Sequence, residues 1–135
     1  MKRSIMAVIA GLATWILVAS LLDRGLRALL EGYALAEPKM AFTLGMMAAR
    51  LILAAVASVA AGAVAGAVAP AGRRMPWVLG VILLAAFLPV HVKLWNVFPV
   101  WYHLTFLLTL VPLIVLGALF TRRLAPASGS PAAHA

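Results

Sequence analysis

Cysteine is absent from the chain, and carboxylates nearly so: three Asp and Glu in 135 residues. Without cysteine there are no disulfides, no thiolate metal ligands and no Cys nucleophile. The three acids, Asp23, Glu31 and Glu37, all fall in one short segment, so a paired-carboxylate site would have to be built there. No Ser/His/Asp set lies within an apolar run, and HExxH and a phosphate-binding glycine loop are also missing. Enzymatic activity by this chain alone is therefore not expected. Charge as a whole is scarce, at 10% of residues, while 66% are hydrophobic. Soluble domains carry about a quarter charged and about half apolar residues. So large an excess points to lipid as the solvent for most of the exterior.

The net charge of +8 invites a nucleic-acid reading until the charges are located. Lys2 and Arg3, Arg73 and Arg74, and Arg122 and Arg123 are doublets at the edges of apolar runs. That pattern sets membrane orientation and does not make a groove-binding stripe, so nucleic acid is not expected as a partner.

Four spans are expected, at about residues 5–22, 43–69, 76–95 and 100–121, in an all-α integral membrane protein with an up-down four-helix bundle. Residues 1–124 form the transmembrane domain, and the small Pro/Ser/Ala-rich stretch 125–135, with His134, is expected to be a disordered tail. The first run follows Lys2 and Arg3 as a signal peptide would. It is long enough to span, however, and the nearest Ala-x-Ala, at residues 34–36, lies well beyond it. Between the first two spans, Asp23/Arg27 and Arg27/Glu31 are four apart, and Leu26, Leu29, Leu30 and Tyr33 share a face. A short external amphipathic helix bounded by Gly32 and Pro38 is the natural expectation. Pro112, near the middle of the last span, frees the Leu108 carbonyl and predicts a kink. Thr105 and Thr109 share a face there and are placed to hydrogen-bond along or across helices.

The second run carries two features. Arg50 is either an interfacial cation, if lipid begins near Leu51, or a buried one, with Asp23 and Glu31 as the obvious partners; an unpaired Arg at the bilayer centre costs at least ~3 kcal/mol. Ala54, Ser58, Gly62 and Gly66 recur every four residues, the spacing of a tight helix–helix face that includes a GxxxG pair. Nothing in the sequence says whether the helix it meets belongs to the same chain.

Polar and aromatic residues concentrate in residues 89–103, expected to be the wet end of a hairpin between the third and fourth spans. Trp77, Lys93, Trp95, Trp101 and Tyr102 read as interface anchors. His91 and His103 flank the turn at similar depth, so a metal, a haem iron or a proton between them is one reading; the plainer one is two interfacial polar side chains. No cofactor is expected. With all three doublets on one side and Arg24, Arg27, Lys39, Lys93 and Arg50 on the other, both termini are assigned to the cytoplasm of a bacterial inner membrane.

In size and number of spans the chain resembles the small multidrug transporters. That family couples transport to a glutamate within its first helix, and residues 5–22 contain no acid. The expected role is instead helix association, as an accessory or scaffold subunit of a larger membrane complex or as a homo-oligomer. Its partners are then the lipid bilayer and other membrane subunits or itself. A small oligomeric transporter and a histidine-bearing metal, haem or redox protein are the alternatives.

Overall fold

The computed structural model describes residues 1–70 and 74–125. The stretch 126–135 expected as a tail, His134 and the Arg73 half of one doublet lie outside them. The described residues are helical, with no strand. Helix α1 (Lys2–Leu29) is followed by a single-turn helix α2 (Tyr33–Ala36), then α3 (Leu44–Val68), α4 (Arg74–Lys93) and α5 (Val100–Leu124). α1, α3, α4 and α5 are each long and apolar enough to cross a membrane. The shortest, α4, has 20 residues, or about 30 Å at 1.5 Å per residue, the thickness of a hydrocarbon core.

α1 runs past the end of its apolar stretch, taking Asp23 and Arg27 with it as an i, i+4 ion pair at 3.1 Å. The separate amphipathic helix expected beyond residue 22 is thus mostly the last two turns of α1. The chain leaves the helix at Leu30, in an extended conformation, and turns at Gly32, whose φ of 77° is open to glycine at little cost. That turn removes Glu31 from helical register with Arg27. Arg27 bonds Glu37 instead, at 2.8 and 2.9 Å.

α3 starts at Leu44 because Thr43, extended at φ −72° and ψ 167°, accepts the Met46 N–H at 3.3 Å on its hydroxyl. Residues 94–99 turn through backbone bonds from Val97 N–H to the Leu94 carbonyl (2.9 Å) and from Phe98 N–H to the same carbonyl (3.3 Å). Pro99 then caps α5, needing no N–H there. Pro89 and Pro112 both lie inside helices that continue through them. Near Pro112 the Thr109 hydroxyl donates back to the Thr105 carbonyl at 2.6 Å.

α3 and α5 lie side by side in the same direction, since Arg50 meets Tyr102, Gly62 meets Ile114 and Gly66 meets Ala118 in order along both helices. A Cβ on Gly62 would land on the Ile114 backbone, and one on Gly117 would strike the Val59 carbonyl. The two backbones are in contact, a distance that only small residues allow. The small-residue face of α3 is therefore covered by α5 of the same chain, and by α1: Trp15 Nε1 donates to the Ser58 hydroxyl at 3.1 Å, which donates onward to the Ala54 carbonyl at 2.6 Å. α1 buries Ala7, Gly11 and Trp15, four residues apart, as a single stripe. The core around these contacts is Trp15, Ala57, Ala61, Leu79, Leu83, Phe106, Leu110 and Ile114.

Candidate functional site

The glycine-packed half of the molecule leaves no room for a ligand beside Gly62, Gly66 and Gly117. The other half widens because its helices carry large side chains where they face one another. There, Trp15 and Asp23 of α1, Arg50 and Ala54 of α3, Phe87 and His91 of α4, and Tyr102, His103 and Phe106 of α5 line a cavity of about 230 Å³. Leu53, Val90, Leu94, Phe98 and Met40 complete its wall. Met40, the first residue after a 3-10 turn at Glu37–Lys39, is held at φ 51°, a left-handed conformation unusual for a side chain of this size.

Arg50 organises the mouth. Its Nη1 donates to the Tyr33 hydroxyl at 2.7 Å and its Nε to the Tyr102 hydroxyl at 3.3 Å. Tyr33 donates in turn to Asp23 Oδ1 at 3.1 Å, and the guanidinium lies 3.9 Å from the same oxygen. The Phe42 ring sits 4.7 Å from the guanidinium carbon, within cation–π range. With 31% of its side chain exposed, Arg50 is half-buried among these partners. Asp23, named from the sequence as a partner, is one; Glu31 is not, being carried outward by the Gly32 turn. The Tyr33 phenol is pushed above its ordinary value, first by burial and further by its bond to Asp23, with Arg50 acting in the opposite direction.

Deeper in the cavity, His91 and His103 meet with their Nδ1 atoms 2.8 Å apart, a hydrogen bond between two imidazoles. The sequence placed them at similar depth; the structure adds that they touch each other. His103 is fully buried and His91 nearly so, at 7% exposure. The Trp95 ring stacks on His103 with centroids 4.9 Å apart, and Phe106 lies 4.5 Å from His91. His103 Nε2 is buried with no hydrogen-bond partner among the described residues.

No family model, no curated protein and no solved structure matches this chain.

Two imidazoles are too few for a closed metal site, and no group of three His, Asp or Glu with metal-binding geometry occurs among the described residues. The aromatic residues divide into two sets. Trp77, Trp95 and Trp101 are 52%, 39% and 42% exposed, and Lys93 is exposed as well. Tyr102, grouped with them from the sequence, is buried and holds Arg50. Sequence reasoning passed over Tyr33 as anything but an apolar-face residue, and passed over Phe42 entirely. Only the fold brings them to Arg50 across the α1–α3 connection.

Proposed function

We propose that this is a membrane protein that binds a small carboxylate with an apolar or aromatic body in the cavity between Arg50 and the histidine pair. The observation that carries the reading is the convergence, on one apolar-walled space, of the cavity's charged and imidazole side chains from all four long helices. A concave apolar site with a few convergent polar groups is the general form of a small-ligand site. Arg50 is the natural partner for a carboxylate, because a guanidinium offers paired N–H donors in a planar fork. Phe87, Phe98, Phe106 and Trp15 would cover the ligand's body. The four long helices are taken to insert as an up-down bundle with both termini on the cytoplasmic side of a bacterial inner membrane, which opens the cavity to the opposite side. Carriage of the ligand across the membrane would require the glycine-packed half to separate.

The test uses purified protein in detergent and its tryptophan fluorescence, to which Trp15 of the cavity wall and Trp95 beside His103 contribute, with benzoate, phenylalanine and benzyl alcohol as probes. Benzoate is expected to bind best, and Arg50→Ala to weaken it at least tenfold, with Arg50→Lys intermediate. Equal binding of benzyl alcohol and benzoate would sink the carboxylate reading. Uptake of benzoate into proteoliposomes separates a carrier from a binding protein.

Helix association remains as a second reading, on a different face from the one the sequence suggested. Ala55, Val56, Val59, Ala60 and Ala63 form a shallow groove of small side chains on the outer side of α3. A second copy or another subunit's helix would fit it closely. A stable monomer by light scattering, with no subunit co-purifying, removes this reading.

A further inference from the structure

We propose that His91 and His103 form a single-proton site that becomes charged when a carboxylate occupies the cavity, so that the ligand binds together with one proton. The inference rests on the carboxylate reading above. Arg50 and Asp23 contribute one charge of each sign to the cavity wall, and the guanidinium lies 3.9 Å from the carboxylate. Arg27, behind Asp23, is matched by Glu37 at 2.8 Å. An anion added to this neutral arrangement is a buried charge without compensation, which low-dielectric surroundings penalise heavily.

The groups that face the histidine pair are few. From α1 there is Asp23; from α3, Arg50, which reaches Tyr33 beyond the end of α1; from α5, Tyr102. Lys93, two residues along α4 from His91, is exposed. Arg50 is already cationic and a phenol gains no positive charge by titrating, so the imidazoles are the groups that can supply one.

The geometry sets how many protons they can take. An Nδ1-to-Nδ1 contact of 2.8 Å requires one nitrogen to carry the hydrogen and the other to offer its lone pair. In the neutral pair, the imidazole that donates at Nδ1 has a bare Nε2, while its partner carries its hydrogen at Nε2. One solvent proton can add to the bare Nε2, making that ring an imidazolium, with no bond broken and the contact between the rings kept. A second proton would have to go on the remaining Nδ1 lone pair and would set two N–H groups against each other. The pair therefore holds one extra proton and no more. The buried, unpartnered Nε2 of His103 matches a pair whose hydrogen-bonding capacity is incomplete in the empty cavity. A carboxylate in the cavity supplies the missing negative charge.

The experiment is calorimetry of benzoate binding to the full chain in detergent, between about pH 6 and 9, where the carboxylate is ionised throughout. It is run in two buffers of different ionisation enthalpy and paired with ¹⁵N NMR of the histidine rings. Expected are uptake of close to one proton per benzoate above the pair's midpoint, and an affinity falling about tenfold for each pH unit in that range. The NMR titration of the unliganded protein should show a single proton added to the pair, with benzoate shifting that step to higher pH. Replacing both rings, His91→Asn together with His103→Asn, leaves no imidazole to titrate, so benzoate binding by the double variant should be independent of pH, whereas His91→Asn alone leaves His103 able to take the proton and should keep the dependence. Benzoate binding without proton uptake in the wild type, or separate protonation of both rings while they remain in contact, would overturn the proposal and leave the carboxylate reading standing. Absence of benzoate binding at every pH overturns both.

Discussion

Tyr33 shows how much a single hydroxyl carries here. It accepts from Arg50 at 2.7 Å and donates to Asp23 at 3.1 Å, tying α1 to α3 through a residue on neither helix. Tyr33→Phe leaves a partly covered guanidinium and carboxylate each short of one partner, at an expected cost of about 1–3 kcal/mol in thermal unfolding. Its pH dependence has a definite sign. The folded phenol titrates above its ordinary value of 10.0 because burial disfavours the phenolate. The stability it lends is complete below that value, where folded and unfolded chains are both protonated. It is lost as pH rises from about 10 through the raised folded value. The wild type should therefore lose stability on that alkaline limb faster than Tyr33→Phe does. Equal slopes in the two proteins would show that the phenol is not held as described. Asp23 and Arg50 were legible in the sequence as scarce charges in an apolar chain. Tyr33 was not, because a tyrosine among leucines reads as part of an apolar face until its neighbours are known.

Among the elements, the pairing of α3 with α5 carries the tightest packing. Gly62 and Gly66 on one helix and Gly117 on the other bring backbone onto backbone, and the Thr121 hydroxyl reaches across to the Ala63 carbonyl at 2.9 Å. Gly62→Leu would have to push α5 away along its length. We expect a loss of at least about 3 kcal/mol, in the range of severe overpacking, measured by unfolding in mixed detergent. Gly25→Ala, where a Cβ meets nothing within 4 Å, should be neutral or stabilising by up to about 1 kcal/mol. Similar losses in both variants would mean that the α3–α5 contact is looser than described. The stripe on α3 could be read from its four-residue period. Its mate could not, because Gly117 stands alone in a leucine-rich helix and has no period to announce it.

Among the described residues the molecule is asymmetric along its length, with helix backbones in contact at the glycine end and a polar-lined cavity at the other. This asymmetry makes orientation functionally decisive, and the absence of cysteine makes orientation simple to measure. Single substitutions Ser4→Cys and Asn96→Cys should be labelled from opposite sides of the membrane by an impermeant thiol reagent, with Asn96→Cys labelled from outside intact cells. Labelling of both from one side would refute the four-span topology. What the sequence determined by itself is the class of object: helices long and apolar enough to span, their approximate limits, a close-packing stripe and the few residues with chemistry to offer. Those follow from local properties, namely composition, period and the cost of placing charge in lipid. Only the tertiary structure decided which surfaces meet. It spent the Gly62 and Gly66 face on α5 of the same chain, drew Tyr33 and Tyr102 onto Arg50, and set His91 against His103 at 2.8 Å. Contacts between residues as far apart in the chain as Trp15 and Phe87 depend on how four nearly uniform apolar surfaces choose one another. That choice is made by the shape of small and large side chains across each interface, which no single helix displays on its own.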